Sequence, residues 1–368
     1  MTQRIQALDG LRGFALLGIA VANVQWFSGY AVDPSPAKDL LGLDAAVTFG
    51  LHLFVDGKFY GLFSLLFGAS FQLLLDQAKR RGIPPAVAAR RRLFALGLLG
   101  SLHAVFLWFG DILTLYAVAA IPLRALLRLR DRTILAISLV LLAIPAVLSA
   151  LLFVALDPAA TDFAYGPAEH LPAFASGDLL ALWHANLAFL KQRYFLALLS
   201  GRLPRLLGLF LLGALLLRHR PAPNRPQLAA LTLLALATNL AHASLAHVQP
   251  LPPSGLGVAR DAIGCIAIPA GALAYVGLLW GVLGRNGRVQ TALASAGRLS
   301  ATHYLSQSLV FAGVFYGVGF GGWGAMGATA SGLFALVVVL GQAAASSRWT
   351  RDSRGPAEAL LRVLNAGS

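Results

Sequence analysis

The residues able to do chemistry are few, and they sit in apolar surroundings. His103 lies within GSLHAVFLWFGDIL, about six residues and hence ~9 Å from the turn at Gly110. A neutral imidazole there can act as general base toward a hydroxyl or amine. The alternative is a packing histidine bonded to a backbone carbonyl or a serine. Asp111 reads first as the cap of the following helix. Its other role is to orient His103, and the intervening turn leaves their separation open.

A second group stands near the N-terminus, where Leu8-Asp9-Gly10-Leu11-Arg12-Gly13 runs straight into FALLGIAVANVQWF. Asp9 and Arg12 are three apart and can meet on one helix face. A cation in a first helical turn opposes the dipole. Arg12 therefore reads as an interfacial anchor neutralised by Asp9, or as a grip for phosphate or carboxylate at a site mouth. Asn23 lies deeper in the same helix. Lys58 opens KFYGLFSLLFG; snorkelling to the interface is its default, and an oxyanion partner is the alternative. Ser64, Ser70 and Gln72 follow it and can bond across helices. In GRLSATHYLSQSLVFAGVFYG, His303, Tyr304, Gln307 and Ser308 form a polar cluster, with His303 and Gln307 on one face. No carboxylate at ligand spacing joins His103 to His303, so no metal is expected. Asn239 and His242 read as interhelical glue.

The surroundings of these residues set the class. Of 368 residues, 58% are hydrophobic and only 12% charged. Soluble domains carry about twice that charged fraction. The chain is therefore expected to be all-α, a single polytopic transmembrane helix bundle over residues 1–368. Its one cysteine, Cys265, excludes an intrachain disulfide. The net charge of +14 falls between apolar stretches, which fits the positive-inside rule and not nucleic-acid binding. The first helix lacks a small-residue cleavage site and is expected to be retained.

About ten spans emerge. They cover 11–30, 58–77, from Arg90-Arg91-Arg92 to Phe109, 112–129, 134–156, 195–217, 228–248, 262–283, 299–320 and about 325–345. Residues 43–55 are short for a span and suit the interface or a re-entrant loop. A long outer connection is expected at about 157–193. With the N-terminus inside, the clusters Lys79–Arg92, Arg124–Arg132, Arg218–Arg225, Arg285–Arg298 and Arg348–Arg362 all fall on the cytoplasmic side. Both termini are then cytoplasmic. The Gly-rich stretch GVGFGGWGAMGATASG reads as a tight turn with close helix packing.

Several motifs, in order, resemble the YeiB family, also called DUF418, of bacterial inner-membrane proteins. They are LDGLRGFALLGIAVANVQWF, KFYGLFSLLFGASF, RRRLFALGLLGSLHAVFLWFGDILTLYA, LPRLLGLFLLGALL, GRLSATHYLSQSLVFAGVFYGVGFG and RWTRDSRGPAEALLR. The family resembles, more distantly, the transmembrane acyltransferases: acyltransferase-3 sugar O-acetylases and the lysosomal heparan-sulfate N-acetyltransferase. That resemblance implies an acyl group moved from cytoplasmic acyl-CoA, such as acetyl-CoA, to a glycan or lipid acceptor outside. Arg12 and Arg92 would then bind the donor's phosphates, with Asp9, Asn23, Lys58, Ser64, His303 and Gln307 also at binding positions. His103 and Asp111 would be the catalytic pair. Two departures stand out. Acyltransferase-3 proteins carry a histidine where this chain has Asn23. The family's usual Thr-Asn-Tyr is here Thr302-His303-Tyr304. A transporter or flippase for a small amphipathic solute, or a non-catalytic membrane scaffold, are the alternatives.

Overall fold

The computed structural model describes residues 3–34, 39, 42–155, 168–219, 224–248, 254–283, 287–348 and 355–366. All regular structure among them is helical. In order the helices are α1 (Gln3–Phe27), α2 (Asp44–Phe54), α3 (Lys58–Arg80), α4 (Pro85–Phe106), α5 (Leu113–Ala119) and α6 (Leu123–Leu126). Then come α7 (Asp131–Ala155), α8 (Pro172–Ala175), α9 (Leu179–Leu199), α10 (Arg202–His219) and α11 (Arg225–Val248). The last are α12 (Gly255–Leu283), α13 (Arg288–Arg298), α14 (Ser300–Phe315), α15 (Ala328–Arg348) and α16 (Pro356–Ala366).

Local chemistry sets many of these boundaries. Proline opens α4, where its missing N–H costs nothing. Asp178 caps α9 by accepting from the backbone of Leu180 at 2.8 Å and Ala181 at 3.2 Å. Asp44 reaches across to the start of α15 and accepts from Ala328 N at 3.0 Å and Thr329 N at 2.8 Å.

The helices pack by bringing backbones close. A Cβ on Gly68 of α3 would sit inside the Phe210 carbonyl of α10, and one on Gly213 of α10 inside the Leu65 carbonyl of α3. The same holds between α1 and α13, where Gly13 meets Leu293 and Gly297 meets Asp9. Only glycine allows these approaches, the usual device of apolar helix pairs. The Leu8–Gly13 motif thus seats α13 against α1.

The bundle has two chemically distinct ends. At the basic end, Arg218 of α10 donates to Asp131 of α7 at 2.6 Å, to the Leu127 carbonyl at 2.6 Å and to Gln72 of α3 at 2.9 Å. Glu358 of α16 accepts there from Ala301 N at 2.8 Å and Thr302 N at 3.1 Å, capping α14. At the aromatic end, Phe27 lies 4.7 Å from Trp108 and 5.5 Å from Tyr316, ring to ring, and Phe174 stacks on Trp323 at 5.0 Å.

Six runs among the described residues are long and apolar enough to cross a membrane, and a bent pair makes a seventh. The chain is an apolar helical bundle of membrane type. Four expected spans take other forms. α4 is continuous but carries Arg90, Arg91 and Arg92 inside it. The stretch 112–129 breaks into α5 and α6 at Pro122, which cannot continue a helix. The stretch 195–217 is split between α9 and α10, bent by 67°. Gly201 makes that corner at φ 68°, and a Cβ there would press on Pro145 of α7. The stretch 299–320 shortens to α14 and gives way to glycine turns. The outer connection expected at 157–193 lies outside the described residues up to 167, and from Leu179 onward it is helix α9. Asp178 starts that helix earlier than hydropathy alone suggests.

Candidate functional site

α4 ends directly over His103. The backbone N–H groups of Leu107 and Trp108 both return to the His103 carbonyl, at 3.0 and 2.9 Å. The chain then turns and re-enters the bundle as α5. Asp111 caps that helix: its Oδ2 accepts from Thr114 N at 2.7 Å and from the Thr114 hydroxyl. Its Oδ1 accepts from His103 Nδ1 at 3.0 Å. The cap and the histidine partner are therefore one residue in both roles. Asn186 of α9 clamps the turn, accepting from Phe109 N at 3.2 Å and donating to the Val105 carbonyl at 3.1 Å.

The pair is dry: His103 is 3% exposed and Asp111 1%. With Nδ1 committed to the carboxylate, the imidazole presents its Nε2 lone pair. That atom is enclosed and has no hydrogen-bond partner among the described residues. Tyr304 of α14 packs beside the ring at 5.1 Å, and its hydroxyl accepts from Ile112 N at 3.3 Å. Buried polar groups are almost always paired. A histidine held by a carboxylate with its second nitrogen uncommitted has the geometry of the base-and-orienter part of a catalytic triad.

The pair belongs to a larger polar interior. Arg193 of α9 donates to the Asp111 carbonyl at 3.4 Å. Arg205 of α10 donates to the Tyr60 hydroxyl at 3.3 Å, and Arg202 lies 5.5 Å over the Tyr60 ring. Ser64 bonds the Tyr116 hydroxyl at 2.7 Å. Sequence reasoning passed over Arg193, Arg202, Arg205 and Asn186. The available signal was three arginines around Pro204 in apolar sequence, since ionisable residues at such depth mark sites.

A second feature opens at the basic end. A cavity of about 410 Å³ is lined by Asp9, Arg12, Ser70, Gln77, Arg80 and Arg92, with Phe67 and Phe71 on its apolar wall. That is within the usual volume of small-molecule sites, ~300–1,000 Å³. Arg12 pairs with Asp9 and also reaches the Ser70 hydroxyl. Three arginines against one acid give the cavity a basic lining.

The other sequence candidates lie elsewhere. Lys58 is buried at the α2–α3 corner, where its ammonium donates to the His52 carbonyl. Asn23 is half-buried on α1, and its side chain makes no hydrogen bond among the described residues. His303 bonds Ser346 at 2.6 Å and Gln307 bonds Gln342 at 2.8 Å, so both join α14 to α15. Tyr304 between them turns to His103. A second histidine–carboxylate pair, His52 with Asp56 at 2.8 Å, is open to solvent. Among the described residues no cluster of three or more His, Cys, Asp or Glu side chains could hold a metal.

Residues 214–368 match the family model described as Protein of unknown function (DUF418). The uncharacterized protein YxaH of Bacillus subtilis is 30% identical over 396 residues, covering 98% of this chain and 94% of that one. This chain belongs to the DUF418 (YeiB) family. Similarity extends to YeiB of Escherichia coli, 34% identical over 122 residues, which is 32% of this chain and 30% of YeiB. It extends also to an uncharacterized 39.9 kDa protein of Bacillus acidopullulyticus, 34% identical over 156 residues, 42% of this chain and 43% of that one. No solved structure matches. The family-model match begins within α10 and so excludes His103 and Asp111. The full-length likeness to YxaH includes the region of both.

Proposed function

We propose that this DUF418 protein is a transmembrane acyltransferase of the bacterial inner membrane. It would use cytoplasmic acyl-CoA as donor and acylate a glycan or lipid on the outer side. The observation that carries this reading is the orphaned, dry Nε2 of His103, held by Asp111. An acceptor hydroxyl or amine adds to the thioester carbonyl. Its proton passes to His103 Nε2, the C–S bond breaks, and the same proton leaves with the thiolate. Asp111 stabilises the imidazolium between those steps.

The basic-end cavity supports the donor side. Arg12, Arg80 and Arg92 suit the phosphates of a nucleotide. Arg92 and His103 share α4 and stand 11 residues apart, ~16 Å along the axis. A long donor arm would therefore have to thread the bundle to reach the base. Ten crossings with both termini cytoplasmic would require the four stretches that take other forms to traverse the membrane as well. In that orientation Arg80 of α3, Arg92 of α4 and Arg218 of α10 would lie on the positive-inside face.

The test is transfer of labelled acetyl from acetyl-CoA into lipid and glycan extracts by purified protein in proteoliposomes. His103→Ala should abolish transfer while keeping the fold; transfer at the wild-type rate would sink the assignment. The break between α9 and α10 favours a second reading, transport of an amphipathic solute, because broken helices line transporter sites. Uptake by vesicles without donor would support that instead.

A further inference from the structure

The corner between α9 and α10 gathers more positive charge than the protein answers. Arg202 and Arg205 are three apart in the first turn of α10 and share a face. Both converge on Tyr60, Arg202 over its ring and Arg205 on its hydroxyl. Arg193 comes from the preceding helix and lies within electrostatic range of Arg202. The Nε atoms of all three are enclosed and have no hydrogen-bond partner among the described residues. Arg202 donates no hydrogen bond at all to the described residues, and none of the three forms an ion pair with a carboxylate among them. The carboxylates in electrostatic range are Asp111, near Arg193, and Asp261, near Arg205 and also paired with Arg260 at 3.5 Å, so two acids face four arginines.

Unanswered cations in an apolar bundle are expensive and are kept where a ligand answers them. Guanidinium forks suit phosphate oxygens. The N-terminal end of the α10 dipole adds a positive field at the same place. Phe195 and Leu198, 51% and 61% exposed on α9, flank the corner with apolar surface.

We propose that Arg193, Arg202 and Arg205 form the subsite for a phosphate group, carried by an amphiphile whose chains lie over Phe195 and Leu198. This names the acceptor class of the transferase reading and rests on that reading for its purpose. Phosphate binding itself needs neither donor nor transfer.

The experiment is calorimetric titration of the full-length protein in neutral detergent, without acyl-CoA. The probes are dioctanoyl phosphatidic acid, dioctanoylglycerol and inorganic phosphate. Phosphatidic acid should bind saturably and dioctanoylglycerol should not. Arg202→Gln and Arg205→Gln should each weaken binding at least ~10-fold, and substitution of an exposed arginine outside both sites, Arg130→Gln, should not. Inorganic phosphate binding as tightly as the lipid would assign the site to the free anion; much weaker binding would assign it to a lipid headgroup. Binding that survives both corner variants, or falls as far with Arg130→Gln, would overturn the subsite, as would no binding of either phosphate probe. Arg202→Lys, which keeps the charge, is the second variant should Arg202→Gln not fold. Binding with no acetyl transfer would keep the subsite and sink the transferase.

Discussion

Asp111→Asn isolates the orienting role of the buried carboxylate. The carboxylate accepts three hydrogen bonds, from His103 Nδ1, Thr114 N and the Thr114 hydroxyl. Bonds to a charged group contribute about 1.5–3 kcal/mol and neutral ones about 0.5–1.5 kcal/mol, so losing the charge costs about 1 kcal/mol per bond, or about 3 kcal/mol here. The backbone N–H of Thr114 is fixed at 2.7 Å, so the amide oxygen must take the place of Oδ2. The amide NH2 then faces His103 Nδ1, which must turn acceptor. The ring proton moves to Nε2, and the base becomes a donor. Acyl transfer should fall by about 10²–10⁴, the range of a lost general base, while the protein still folds. Acetyl transfer in proteoliposomes, read beside thermal melting, checks both. Full activity in the variant, or a loss that only follows the folded fraction, would refute the orienting role.

Other outcomes follow from the same geometry. Arg12→Ala should weaken acetyl-CoA binding at least ~10-fold by removing one of three guanidinium groups from the basic-end cavity, read by thermal shift against free CoA. Gly68→Ala should destabilise the α3–α10 contact by about 1–3 kcal/mol or more, because its Cβ meets a backbone carbonyl that cannot rotate away; detergent melting measures it. In a Cys265→Ser background, Ser254→Cys should react with an impermeant maleimide in intact cells, and Asn224→Cys only after permeabilisation. The reverse pattern would invert the proposed orientation.

How much of this was legible beforehand depends on the range of the interaction. Hydropathy and charge are properties of short windows, so membrane class and helical content could be read from the chain directly. The Asp9–Arg12 pair is only three positions apart and was equally visible. The corner at Gly201 was not, because it depends on Pro145 of another helix. Nor was the sorting of the α14 polar cluster, where adjacent residues serve different neighbours: His303 answers Ser346, and Tyr304 packs on His103. A helix exposes all its sides, and only its partners decide what each side does.

The sequence by itself determined a helical bundle of membrane type, because hydropathy acts residue by residue. It also supplied His103 and Asp111 at a spacing that permitted contact. Only the tertiary structure decided that they meet at 3.0 Å, that Nε2 is left without a partner among the described residues, and that Arg202 and Arg205 of α10 converge on Tyr60 of α3. Those facts turn on how a turn closes and where a helix breaks. Both are set by backbone packing between segments far apart in the chain.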